Sequence, residues 1–168
     1  SSNEFLKALA EGGFQLAELS KRLFPGEMVE TLDYQDSLAQ TARLLEADKT
    51  TIHEAAFAHG DFFIRADILV KNGNMVDLIE VKSKSYDEED ETKAIMTKRN
   101  DIRSTWSPYL HDIAFQTYVI RQAHPEWQVT PHLLLVNKTA TAPIDGINSL
   151  FVCRRDNRGN PVVSTPHG

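Results

Sequence analysis

The segment "IRADILVKNGNMVDLIEVKS", residues 64–83, constrains this chain more than any other stretch. Two apolar runs flank Asn72-Gly73, and Asn-Gly between alternating apolar residues is a strong short-range signal for a two-residue hairpin turn. Within those runs stand Asp67, Glu80 and Lys82. Charge among buried apolar neighbours is costly unless it is paired or ligated. Strand side chains alternate faces, so Glu80 and Lys82 share one. A turn on Gly73-Asn74 sets Asp67 opposite Glu80, and a turn on Asn72-Gly73 makes them diagonal neighbours. An odd-length loop would separate them.

The preceding run, "TIHEAAFAHGDFFIRADILV", adds a strand through a turn near His59-Gly60. The same parity brings Glu54 and Arg65 to the face of Asp67. That face is expected to carry Glu54, Arg65, Asp67, Glu80 and Lys82. The opposite face is expected to carry Phe62, Ile64, Ala66, Ile68, Ile79 and Val81. Carboxylates gathered this closely need neutralising. A hard divalent cation does so with carboxylates, a backbone carbonyl and water, and Val81 stands where such a carbonyl is required. A neighbouring lysine can orient or deprotonate a metal-bound water and steady an anionic transition state. These are the parts for phosphodiester hydrolysis. Glu54 has two readings, a second metal-site acid or a support for Arg65.

The remaining pattern places this hairpin in an α/β domain. Helical spacing spans 4–24 and ends at Pro25-Gly26. A short strand is expected over 28–32 and a helix over 36–47. Strands are expected over 51–58, 61–70 and 75–82. A helical insert is expected over 95–102. Pro108 suits the first turn of a helix capped by Ser107 and running to about Ala123. A strand over 128–136 and a hairpin over 149–155 and 161–164 complete the chain. Pro131 points to an irregular or edge-facing start of the 128–136 strand. The expected fold is a mixed, mainly antiparallel sheet flanked by helices.

The 168 residues suit one domain spanning 1–168, with both ends open to having been cut from a longer protein. A formal charge of −6 argues against a general polyanion-binding surface, though not against a local basic groove. Lys98, Arg99 and Arg103 form one basic cluster, and Lys84 follows Lys82 on its strand. These four are candidate nucleic-acid contacts. Trp106 and Tyr109 suit packing between insert and helix better than base stacking. The single cysteine, Cys153, excludes an internal disulfide and a four-cysteine metal or iron–sulfur site within the chain. No apolar run is long enough for a membrane span. Cytoplasmic location is the expectation.

Asp67 with Glu80-Val81-Lys82, spaced D-x12-E-x-K on strand, turn and strand, resembles the PD-(D/E)xK nuclease superfamily. The wider context "HEAAFAHGDFFIRADILV…DLIEVKS…YLHDIAFQTYVI" is similar to its RecB-type branch. Within that branch it is nearest to a bacterial family bearing a "G-x-x-x-G-x-L-A…LFP" helix, for which this chain offers "GGFQLAELSKRLFPG". The resemblance implies a restriction-endonuclease-like core and Mg²⁺- or Mn²⁺-dependent nuclease activity, with DNA the favoured polymer and repair or defence the setting. It implies metal ligation by Asp67 and Glu80, and water positioning by Lys82. Gln116 would lie beside the metal, with Asp112 one helical turn earlier on the same face. The branch's first-helix histidine position is Ala17 here, and Gln15 is the favoured substitute over Glu18. The branch's Q-x-x-x-Y tyrosine falls at Ile120, and the tyrosine of this helix is Tyr118. The alternative reading is an inactive nuclease fold that binds nucleic acid or serves assembly.

Overall fold

The computed structural model describes residues 16–82, 95, 97–99, 101–135, 150–155 and 161–164. It contains α1 (Leu16–Leu23), β1 (Glu27–Met28), α2 (Tyr34–Leu44), β2 (Lys49–His59), β3 (Phe62–Asn72) and β4 (Met75–Lys82). There follow α3 (Ser107–Ala123), β5 (Gln128–Leu135), β6 (Leu150–Arg155) and β7 (Pro161–Ser164). The strands form one seven-stranded sheet in chain order. β1 runs parallel to β2 and β4 parallel to β5, while the other neighbours are antiparallel. The parallel β4–β5 pair requires a crossover, and α3 lies within it. The protein is thus α/β, with a mixed, mainly antiparallel sheet flanked by helices. Among the described residues no helix is long and apolar enough to cross a membrane.

The central hairpin turns on Gly73-Asn74, with Asn72 paired to Met75. Gly73 takes a φ of 58°, which glycine adopts without steric cost. The β2–β3 turn falls on Gly60-Asp61, since His59 pairs with Phe62. Pro131 lies just before β6 begins to pair at His132, so its missing N–H costs no ladder bond there.

Several boundaries depart from sequence expectation. α2 begins at Tyr34 because the Asp33 carboxylate accepts from the Asp36 amide at 2.9 Å. β1 stops at Met28 because the carbonyls beyond it, Val29 O and Thr31 O, are bound by the Arg65 guanidinium at 2.8 and 2.7 Å. Trp106, not Ser107, is the N-cap of α3, and it makes no side-chain cap bond. Trp106 is fully buried with Ile95 and Leu133, and that burial sets the start of the helix. The insert is not helical at its described residues. Thr97 Oγ1 accepts from the amides of Arg99 and Asp101, each at 3.2 Å. Such local bonds compete with the helical ladder. Lys98, Arg99 and Arg103 therefore share no helical face.

Two apolar layers enclose the sheet. On the α2 and α3 side lie Ile52, Ala55, Phe57, Ile64, Ala66, Leu69, Val76 and Leu78, packed with Ile113, Val119 and Ile120. On the α1 side Ile68, Ile79 and Leu134 pack with Leu23, Phe24, Val70 and Val81. The expected single apolar face is therefore split. Ile64 and Ala66 face α3, whereas Ile68, Ile79 and Val81 face α1, and Phe62 is exposed. In both β2 and β3 the pleat reverses midway, between Ile52 and Ala55 and between Ala66 and Ile68. Glu54, inside the first interval, has a φ of 58° and interrupts the β2–β3 ladder.

Candidate active site at the opening between two strands

The β3–β4 ladder ends at Ile68 and Ile79. Continuing its register sets Asp67 opposite Glu80, as the Gly73-Asn74 turn requires. The strands part here, and side chains occupy the gap. Asp67 Oδ2 accepts from the Val81 amide at 2.8 Å, in place of a main-chain partner. In an extended strand the N–H and C=O of one residue point to the same neighbour. The Val81 carbonyl is therefore turned into the same gap.

Glu80 is 4% exposed, with both oxygens engaged. Oε1 pairs with Lys82 Nζ at 2.8 Å, and Oε2 accepts from Gln116 Nε2 at 3.1 Å. Asp112 completes the group, lying 3.3 Å from Lys82 Nζ and 3.5 Å from Gln116 Nε2. Lys82 Nζ also stands 5.4 Å from the centre of the Tyr109 ring, within cation–π range. Positions 109, 112 and 116 are spaced i, i+3, i+7 and form one face of α3. That spacing was the available signal for Tyr109, which also packs against Ile95, Trp106 and Leu133 as expected.

Burial, followed by the nearby charge of Glu80, holds the Asp67 carboxyl up at about 6. The charge of Glu54 acts in the same direction, and the Val81 amide and Lys82 oppose it. Burial pulls the Lys82 ammonium down. The hydrogen bond and charge of Glu80, then those of Asp112, outweigh it and hold Lys82 above the usual lysine value. Lys82 is thus a fixed cation near neutral pH. It is suited to steadying anionic charge.

On the α1 side, Asp67 lines a cavity of about 190 Å³ with Glu54, His53, Val81, Ser20 and Lys21. Glu54 pairs with Arg65 at 3.3 Å, so the supporting role is the one its contacts display, although it also borders the acid cavity. His53 Nε2 lies 2.7 Å from Phe24 O, which ties β2 to the end of α1. Among the described residues α1 brings Ser20 and Lys21 to this cavity. Glu18 instead pairs with Lys21 at 3.3 Å. Nothing in the sequence pattern singled out Ser20 or Lys21. Gln15 and Lys84 lie outside the described residues.

Do these residues fit a divalent cation? Among the described residues no three His, Cys, Asp or Glu side chains gather as a ready metal cage. The donor set is leaner, with Asp67, Glu80 and the Val81 carbonyl. Gln116 adds a clue, because its Oε1 is buried without a partner. Its amide nitrogen faces two carboxylates, so turning the amide over would set oxygen against oxygen. The orphan acceptor therefore belongs to this orientation, and it suits a water or ligand donor. Hard oxygen donors of this kind match Mg²⁺ or Mn²⁺, which retain several waters.

No family model, curated protein or solved structure matches the chain.

Proposed function

We propose that this protein is a divalent-metal-dependent nuclease of the PD-(D/E)xK type, built on a restriction-endonuclease-like core and acting on DNA. The observation carrying this reading is the convergence of Asp67, Glu80, Lys82 and Gln116 where β3 and β4 part. A carboxyl held up at about 6 by burial and by a second, buried acid is the kind of group that gathers at functional sites.

Asp67, Glu80 and the Val81 carbonyl would hold Mg²⁺ or Mn²⁺. Bound there, the ion supplies neutralisation of phosphate charge and a more acidic water. Lys82 lends positive charge where the phosphoryl oxygens develop negative charge in the transition state. Asp112 and Glu80 fix its position, and Gln116 orients Glu80 while offering Oε1 to a water. Asp67 loses its proton as pH rises through about 6 and becomes a full ligand above that value.

The test is cleavage of single- and double-stranded DNA with Mn²⁺ or Mg²⁺, beside Asp67→Ala and Lys82→Ala. Metal-dependent cleavage lost in both variants supports the reading. Cleavage absent under either metal, or unchanged in both variants, overturns it. A second reading, an inactive nuclease fold that binds nucleic acid, draws on Ser20 and Lys21 bordering the acid cavity from α1. DNA binding without cleavage would favour it.

A further inference from the structure

Glu54 is the one residue other than glycine with positive φ among the described residues, and it stands in mid-strand. Left-handed backbone is unfavourable for a side chain with a Cβ, and it persists where the surroundings impose it. Here the surroundings are legible. Before Glu54, Ile52 enters the core on the α2 and α3 side with its partner Leu69, and after it Ala55 and Phe57 enter the same core with Ala66 and Ile64. Strict alternation through an extended residue 54 would turn Ala55 and Phe57, with their partners, away from that core. One left-handed residue lets both halves of the hairpin bury their apolar side in the same core while the register is kept.

Across the ladder, Asp67 occupies the corresponding point of β3. Counting faces from Ala66 would aim its side chain at α1, and counting from Ile68 would aim it at α3. Its carboxylate takes neither direction alone. It reaches along the sheet to the Val81 amide, while bordering the α1 cavity and feeling the charge of Glu80.

We propose that Glu54 is a positioning residue whose left-handed backbone reverses the pleat and thereby holds the Asp67 carboxylate in the plane of the sheet, between β3 and β4. The backbone is what positions Asp67, and the Glu54 carboxylate serves Arg65. The proposal extends the metal-site reading, and it rests on that reading only for the affinity measurement below.

Three variants separate backbone from carboxylate. Glu54→Gly removes the carboxylate and accepts the left-handed conformation. Glu54→Ala removes the same carboxylate and resists it, and Glu54→Val resists it more. Each is measured by thermal unfolding, by hydrogen exchange of the Val81 amide and by Mn²⁺ calorimetry. Glu54→Gly is expected to melt at least ~2 °C above Glu54→Ala, with Glu54→Val lower still. Val81 exchange stays near wild type in Glu54→Gly and quickens about tenfold or more in the other two. Mn²⁺ affinity falls about tenfold or more in Glu54→Ala and much less in Glu54→Gly.

A Glu54→Ala or Glu54→Val protein that fails to fold beside a folded Glu54→Gly gives the same support. Failure of all three to fold overturns the proposal. Equal melting and equal Val81 exchange in Glu54→Gly and Glu54→Ala also overturn it. So does equal loss of Mn²⁺ binding with Val81 exchange unchanged, which would make the carboxylate the working part. Should the wild type bind no Mn²⁺, the metal reading fails, and melting and exchange alone decide the role of Glu54.

Discussion

The Asp67 carboxylate accepts from the Val81 amide at 2.8 Å, where a main-chain carbonyl would otherwise be expected. A side chain thus closes the ladder at the point where β3 and β4 separate. The gap stays open for other ligands, and the acid stays partly desolvated beside Glu80.

That position gives Asp67 a measurable pH signature. Its folded value of about 6 lies above the ordinary 3.8, so the folded state holds this proton more tightly. Its contribution to stability is fully present below the unfolded value and is lost as pH rises through about 6. The loss is on the order of 2 kcal/mol after allowance for solvent screening. In metal-free buffer, Asp67→Asn keeps an acceptor for Val81 and removes the charge. It should raise the melting temperature by roughly 4 °C or more at about pH 8 and change it little at about pH 3, below the unfolded value. Thermal scans at the two pH values check this, and an equal shift at both would contradict it.

Lys82 neutralises a carboxylate that is almost out of solvent. Lys82→Met leaves Glu80 buried without its cation, at a cost of about 2–4 kcal/mol. Adding Glu80→Gln to Lys82→Met should recover much of that stability without restoring cleavage. Urea unfolding of both proteins, with a DNA cleavage assay, makes the comparison. A double variant no more stable than Lys82→Met would show that the pair contributes little.

Gln116 Nε2 donates to Glu80 at 3.1 Å, and the amide oxygen of Gln116 is unpartnered. Gln116→Glu replaces the donor with a third acid beside Glu80 and Asp112. Stability near neutral pH should fall by about 1–3 kcal/mol and recover in part on acidification. Gln116→Met should lose stability without that recovery. Denaturant midpoints measured across pH distinguish the two substitutions.

Gly26 lies where β1 meets β2, and a Cβ added there would overlap the carbonyl and side chain of Thr51. Backbone must move to admit it, so Gly26→Ala should cost about 2 kcal/mol or more. Neither Gly26 nor Thr51 lines the acid cavity, so the folded fraction should keep most of its Mn²⁺ affinity. Calorimetric titration beside a melting curve tests both halves of this expectation.

Much of the central hairpin was legible from local chemistry. Gly73 accepts the turn, the two-residue loop sets parity, and parity brought Asp67, Glu80 and Lys82 together, opposite or diagonal according to the turn. The i, i+4 spacing on one helix likewise joined Asp112 to Gln116. These relations depend on neighbours within a strand pair or a helical turn, so residue order carries them. The pleat reversal at Glu54 was not legible, because it answers to which helix each half of the hairpin must pack against. Trp106 as the N-cap, the non-helical insert, and Tyr109 beneath Lys82 follow from burial among distant residues. So does the protonation of Lys82, for which Glu80 and Asp112 act together against desolvation. Short-range periodicity could order the charged residues along the sheet. The orientation of Asp67 within it arose from long-range packing on both faces.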